Sequence, residues 1–492
     1  MENAETAEID ITLVRKRSLT GVFSLITRSF FVQGIALASN FLLTIFLDPK
    51  TFGVFFLVSA FISFFSYFSD IGLAAALIQK KEKLDLKDLR TTFTVQQVLV
   101  LLLFAIIFIL SPFVGRWYSL SKEGIWLFYA LGISFFLSSL KTIPSILLER
   151  NLNFNLLVIP QIIETIIFNL VAVFLAWRGF EITSFTYAVL ARGVVGLVAI
   201  YIISPWKLGF AFSKDSLKRL LRFGVPYQAN TMMAVIKDDL MTIFLGKVIG
   251  SAGLGYLGWA KKWAEQPLRF FMDNVSKVAF PAFSRLQDDK QKLANAVEKS
   301  LFFLTFLTFP ILIGFSVLAS DLVKVIPRYS KWEPAILALY LYAFNSAWAT
   351  VSTPLTNFLN ATGNIKKTFR LMVMWLTLTW ALMPVLGLRY GYNGVAVAAS
   401  IISLSSVVAV IVARKIVKFD LVNPVIKPLA ASLLMGVIVY FFNPEMSNLT
   451  LSIVFRLLVG GSLYFLFSYL FIGRTLFADI NKVYTEFRNR KK

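Results

Sequence analysis

The 492-residue chain contains no cysteine and no histidine. The first absence excludes disulfides, thiolate metal sites and a cysteine nucleophile. The second excludes zinc-protease helices, Ser-His-Asp triads and histidine proton relays, so any proton coupling has to run through Asp or Glu. No Walker phosphate loop occurs, so ATP does not drive this chain directly, and no cofactor is expected. The one match to a dinucleotide fingerprint, Gly253-Leu254-Gly255-Tyr256-Leu257-Gly258, follows an apolar helical pattern and not a strand, and is set aside. Charge is also scarce, at 15% of residues against ~25% in soluble domains.

What fills the chain is apolar. It is 57% hydrophobic and holds 49 Phe, with a mean hydropathy of +0.73. Repeated runs of twenty or more mostly apolar residues predict an all-α polytopic membrane protein. The expected spans are 21–47, 52–78, 92–114, 124–148, 154–177 and 182–204 in the first half. The second half gives 223–249, 255–285, 301–320, 334–361, 369–388 and 392–412, followed by 424–442 and 449–472. That is about fourteen crossings. A net charge of +22 would suggest nucleic acid in a soluble protein. Here it matches Lys and Arg in cytoplasmic loops. With the N-terminus inside, the inner segments hold about thirty of these residues and the outer loops about eight, which places both termini in the cytoplasm.

The organisation reads as a cytoplasmic segment at 1–20, a first lobe at 21–204, a basic linker at 205–222, a second lobe at 223–415, two further spans within 416–473, and a basic cytoplasmic tail at 474–492. Thr44-Ile45-Phe46-Leu47 recurs as Thr242-Ile243-Phe244-Leu245 at the end of the first span of each half. Six spans is an even number, so the two lobes are expected to be parallel repeats around a central cavity. Gly246 to Gly250 and Gly387 to Gly391 have GxxxG spacing, but both sit at loop ends, where turns explain them as well as helix contact does.

The stretch 255–285 stands out. Lys261, Glu265, Arg269, Asp273 and Lys277 recur every fourth residue with alternating sign among apolar and aromatic neighbours. On a helix such a row stays on one face and drifts slowly round it. In a membrane-crossing helix that face has to turn toward protein interior or water. Lys262 lies beside it, and Trp259 and Trp263 share the face where the row starts, a position from which they could flank sugar rings. Other charges fall within expected spans: Arg28, Asp70, Lys141, Glu164, Arg192 and the run Lys237-Asp238-Asp239. At least one of that run is expected to face polar interior. Pro267 removes a backbone donor within the charged helix and marks a possible kink.

Three motifs carry a family resemblance. Phe52-Gly53-Val54-Phe55 with Phe68-Ser69-Asp70-Ile71-Gly72-Leu73 and Ala76-Leu77-Ile78-Gln79-Lys80-Lys81-Glu82 resembles the second-helix signature of bacterial polysaccharide exporters. Leu148-Glu149-Arg150-Asn151-Leu152-Asn153-Phe154 is similar to the loop after their fourth helix, and Phe280-Pro281-Ala282-Phe283-Ser284-Arg285-Leu286-Gln287-Asp288-Asp289 to the end of their eighth. The chain thus resembles the Wzx-type flippase branch of the multidrug/oligosaccharidyl-lipid/polysaccharide exporter superfamily, from about residue 18 to 415. The resemblance implies a non-enzymatic secondary transporter in the bacterial cytoplasmic (inner) membrane. It would move undecaprenyl-diphosphate-linked oligosaccharide from the inner to the outer leaflet by alternating access, for exopolysaccharide, O-antigen or capsule synthesis. It also implies a cationic cavity, in which Arg28, Lys261, Lys262, Arg269 and Lys277 are the candidates for the diphosphate. Arg28 and Arg269 lie on the first and eighth helices, where the related lipid II flippases place cavity arginines. Asp70, Glu164, Asp238, Asp239 and Asp273 are the candidates for coupling to a proton or sodium ion, and a polysaccharide polymerase is a possible partner. Two alternatives are an organic-cation antiporter of the same superfamily, which should show acidic excess in its cavity, and a membrane polysaccharide polymerase or ligase. The latter would carry a large outer loop, and the longest expected here is about 321–333.

Overall fold

In the computed structural model, the residues described are 32–473 apart from 81, 83, 152, 443 and 445–447. Every regular element among them is a helix, as the composition requires. In chain order these are α1 (Val32–Phe46), α2 (Pro49–Ser66), α3 (Leu73–Gln79), α4 (Leu86–Trp117), α5 (Lys122–Leu140), α6 (Thr142–Arg150), α7 (Phe154–Trp177), α8 (Glu181–Ile203) and α9 (Lys214–Val235). There follow α10 (Met241–Arg285), α11 (Lys290–Val325), α12 (Ile336–Ala361), α13 (Ile365–Leu404), α14 (Val407–Arg414), α15 (Lys427–Phe441) and α16 (Leu449–Ile472). A π-helical turn, Ile236–Leu240, joins α9 to α10. Eleven helical segments among the described residues are long and apolar enough to cross a membrane, so the chain is a multi-pass membrane protein.

Two of these segments are too long for one crossing. At 1.5 Å per residue, the 45 residues of α10 would run ~68 Å, against ~30 Å of hydrocarbon. The chain instead turns back on itself at Gly250 (φ 68°, ψ 174°), a conformation that a side chain rarely adopts. A Cβ on Gly246 would meet the side chain of Leu254 at 3.1 Å, which a straight helix would hold ~12 Å away along its axis. α13 reverses in the same way at Gly391 (φ 61°), where a Cβ on Gly394 would lie 2.0 Å from the carbonyl oxygen of Leu386. The two GxxxG spacings therefore end in tight turns.

Several expected boundaries move. The span expected at 52–78 divides: α2 stops at Ser66, and α3 starts after Ile71 (φ 48°) and Gly72 (φ 75°). Gly72 lies against the backbone of Gly224, and a Cβ there would be 2.3 Å from its carbonyl oxygen. The span expected at 124–148 breaks at Lys141 into α5 and α6. The polar stretch 287–299, expected to be a loop, is mostly the start of α11. Asp289 caps it by accepting the backbone N–H of Lys292 at 3.0 Å, and Leu293, Ala294, Val297 and Leu301 are buried at helical spacing. α9 likewise begins at Lys214, inside the expected linker.

The described chain forms two compact units. Among the described residues, one comprises 32–44, 68–109 and 126–227; the other 45–67, 110–125 and 228–473. In the first, α7 packs along α8, and α3 against α6, over a core of Leu73, Leu77, Phe93, Ile143 and Ile146. In the second, α10 packs against α2, α11, α12 and α13, while α15 bridges α11 and α16. The closest approach there is between α2 and α10. A Cβ on Gly53 would fall 1.6 Å from the Ser251 carbonyl oxygen, and one on Gly255 1.8 Å from that of Pro49. The apparent dinucleotide fingerprint is thus a helix-packing surface of small residues.

Candidate functional site

The second unit holds a cavity of about 870 Å³. Its walls follow from helical periodicity. α10 contributes Lys261, Lys262, Glu265, Gln266 and Arg269, α2 contributes Phe56, Ser59, Ala60 and Ser63, and the π turn contributes Lys237, Asp238 and Asp239. On α12 the lining positions are Tyr342, Asn345, Ala349, Ser352, Thr353 and Thr356, which together form one helical face. α13 supplies Trp375, Thr379, Met383, Val395 and Ala399.

The charged wall is built from i,i+4 contacts. Glu265 sits between two cations on its own helix, 2.8 Å from an Arg269 guanidinium nitrogen and 3.8 Å from Lys261 Nζ. Arg269 donates to Glu265 Oε2 from both Nε (3.1 Å) and a terminal nitrogen (2.8 Å). On the opposing elements, Lys237 pairs with Asp238 at 3.0 Å, and Ser63 donates to Asp239 at 2.7 Å. The π turn matters here. Its three consecutive charges, which helical spacing sets ~100° apart, all line the cavity. Among the described lining residues the cations are Lys237, Lys261, Lys262 and Arg269, and the anions Asp238, Asp239 and Glu265; four against three leaves a net +1.

Of the residues singled out in the sequence, Lys261, Lys262, Arg269, Asp238 and Asp239 come together in this cavity. Asp273 and Lys277 are exposed and do not line it. Each four-residue step turns the row by about 40°, so Lys277 has rotated about 160° from Lys261. Glu164 lies in the first unit, on α7, 8% exposed. It is held by Lys141 Nζ at 2.6 Å and Arg192 Nε at 3.5 Å, with Gly196 leaving room for its carboxylate. Asp70 accepts the backbone N–H of Ala74 at 3.0 Å at the start of α3. Arg28 lies outside the described residues. Trp259 does not face a ligand: it is 3% exposed, stacks on Trp332 with ring centroids 5.3 Å apart, and donates to Tyr329. Trp263 packs on Phe315. The helix runs on through Pro267 without leaving helical geometry.

Sequence reasoning missed the α12 wall. Its signal was present, since 342, 345, 349, 352, 353 and 356 recur at helical spacing, but neutral hydroxyls in an apolar helix draw less notice than charges do.

Three comparisons bear on this architecture. Residues 42–337 match a family described as "Polysaccharide biosynthesis protein". The chain is 23% identical over 370 residues to the lipopolysaccharide biosynthesis protein WzxC of Escherichia coli (strain K12), covering 73% of each chain. It is 21% identical over 435 residues to the succinoglycan biosynthesis transport protein ExoT of Rhizobium meliloti (strain 1021), covering 85% of this chain and 86% of that one. Among solved structures, lipid II flippase MurJ in an inward closed conformation superposes with a TM-score of 0.75 at 18% identity, over 92% of this chain and 99% of that chain. By name, ExoT is a transport protein and MurJ a flippase, not enzymes.

Proposed function

The chain belongs to the polysaccharide biosynthesis protein family, and on that premise we propose that it is a flippase for undecaprenyl-diphosphate-linked oligosaccharide. It carries the repeat unit from the inner to the outer leaflet of the bacterial cytoplasmic membrane by alternating access. Its two six-helix lobes, 21–204 and 223–415, have both chain termini in the cytoplasm. Fourteen crossings are supported by the eleven span-length segments, two of which turn back on themselves, together with the shorter apolar helix α1.

The observation that carries this reading is the row Lys261–Glu265–Arg269 facing a cavity of about 870 Å³. Charges at membrane depth are costly unless they face water or partners. Here the partner is a carboxylate on the same helix, and that pairing holds the guanidinium in place while the cavity is empty. An incoming diphosphate offers Arg269 and Lys261 charge-assisted hydrogen bonds in place of Glu265. Lys262 and Lys237 add attraction. Outward movement of an anion is helped by ~2.3 kcal/mol per charge per 100 mV of inside-negative potential. Asp238 and Asp239, in the same cavity, are placed to take up a proton or sodium ion as substrate leaves. The Glu164 site, paired with two cations, serves to hold α7, α8 and Lys141 together.

In the test, purified Arg269→Ala protein binds undecaprenyl diphosphate about 10- to 150-fold more weakly than wild type, the value of one lost charge-assisted contact at ~1.5–3 kcal/mol. Arg269→Lys recovers part of this, because Lys lacks the planar fork. Unchanged affinity in Arg269→Ala would remove this residue from the site. The three cavity carboxylates give one specific ground for the organic-cation alternative. An organic cation that binds the wild type and is displaced by protons, with no binding of the diphosphate lipid, would favour that reading.

A further inference from the structure

The cavity has two chemically different walls. α10 and the π turn present charge, whereas α12 and α13 present neutral hydroxyls and one indole. Ser352 on α12 and Thr379 on α13 are each 6% exposed and line the cavity. Neither hydroxyl has a hydrogen-bond partner among the described residues. Ser406, also 6% exposed and lining the cavity, is in the same state. Buried hydroxyls are nearly always paired, because an unpaired one costs ~1–3 kcal/mol. These three open onto the cavity, where water pairs them until an occupant brings its own donors and acceptors.

That occupant is constrained by chemistry. A purely anionic ligand, which only accepts, would use these hydroxyls as donors and leave their accepting capacity idle. An apolar ligand would leave them unsatisfied. A polyhydroxylated group can both give and accept at Ser352, Thr379 and Ser406, and its less polar ring face can lie on Trp375, which lines the same wall. The neighbouring Thr353 and Thr356 hydroxyls widen the strip; Thr356 is bonded back to its own helix at Thr353 O (2.8 Å), an arrangement that leaves an oxygen lone pair free to accept. The volume is of the size of small-molecule sites, ~300–1,000 Å³. It accommodates a diphosphate and the first sugars of a chain, not an extended polymer.

We infer that the α12–α13 wall, with Ser406 at the start of α14, is a glycan subsite, in which Ser352, Thr379, Ser406 and Trp375 read the sugars nearest the diphosphate while the α10 wall holds the diphosphate itself. This rests on the flippase reading above and assigns the sugar-discriminating residues within it. Discrimination then comes from these hydroxyls: a substrate that displaces the cavity water without offering matching groups leaves them unsatisfied.

The experiment uses the purified full-length protein and two probes, undecaprenyl diphosphate and the same lipid carrying a short oligosaccharide. The expected result is that wild type binds the glycosylated probe at least about tenfold more tightly than the bare one. The double variant Ser352→Ala/Thr379→Val loses most of that ratio and retains wild-type affinity for the bare lipid. Trp375→Leu reduces the ratio independently. Thermal unfolding of each variant in the absence of ligand reports whether the fold is kept. Equal binding of the two probes by wild type overturns the subsite while leaving the diphosphate site standing. Equal loss for both probes in the double variant assigns these hydroxyls to the fold or to the diphosphate and also overturns it. No binding of either probe by wild type removes the flippase reading first.

Discussion

Replacing Glu265 with Gln should tighten diphosphate binding and slow export. The carboxylate lies 2.8 Å from Arg269 and 3.8 Å from Lys261. In a medium as polar as water those separations correspond to about 1.5 and 1.1 kcal/mol of attraction. The Arg269 side chain is 70% exposed to the cavity and that of Lys261 45%, so screening reduces each pair to ~0.2–1 kcal/mol, the value of exposed ion pairs. Together they cost an arriving diphosphate roughly 0.5–2 kcal/mol, or about 2- to 30-fold in affinity. Glu265→Gln keeps the shape, removes that competition and raises the lining charge from +1 to +2, so affinity for undecaprenyl diphosphate rises by that factor. Release into the outer leaflet loses the returning carboxylate, and turnover falls. The assay pairs equilibrium binding on purified protein with export in cells depleted of the native protein. Weaker binding in Glu265→Gln would contradict the argument, since it would mean that Glu265 positions Arg269 for substrate and does not compete with it.

Three further outcomes follow from the packing. Gly255→Ala should lower thermal stability by at least the ~1–3 kcal/mol of an overpacked core, because the added methyl meets the fixed Pro49 carbonyl; Gly314→Ala, whose nearest neighbour is the flexible end of Met435 at 3.9 Å, should change it little, and equal melting temperatures for the two would refute the tight α2–α10 contact. Glu164→Gln leaves Lys141 and Arg192 facing each other without a carboxylate; breaking a buried pair costs ~3–5 kcal/mol, reduced here because the Arg192 side chain is 53% exposed, and a variant as stable as wild type would show that the triad holds nothing. Single cysteines at Lys214 and Lys290, in a chain with no native cysteine, should resist impermeant thiol reagents in intact cells and react after lysis, whereas labelling in intact cells would invert the topology.

The helical membrane architecture was legible from hydropathy because lipid leaves the backbone little choice but to satisfy itself within helices. The row Lys261–Glu265–Arg269 was legible for a related reason: charges are conspicuous where they are expensive. Its last two members misled, since a four-residue repeat precesses and carries Asp273 and Lys277 off the cavity face. Trp259 misled differently. Its partner Trp332 lies far along the chain, and nothing local distinguishes a tryptophan stacked in the core from one facing a ligand. Lys237, Asp238 and Asp239 all line the cavity from a π turn, a local departure from the 3.6-residue period that any periodicity argument assumes. The boundary at 287–299 was missed because a polar composition concealed buried positions at helical spacing.

The central claim, that the cavity binds and moves a diphosphate-linked lipid, is tested most directly by translocation in proteoliposomes. Purified wild-type protein would be reconstituted with undecaprenyl-diphosphate-linked oligosaccharide, and the fraction of glycan accessible to an external lectin followed with time. The account predicts that wild type equilibrates the lipid between leaflets and that Arg269→Ala, inserted to the same level, does so no faster than protein-free vesicles. Wild type with no activity above the protein-free rate under an imposed inside-negative potential or ion gradient, or Arg269→Ala at the full wild-type rate, would contradict it.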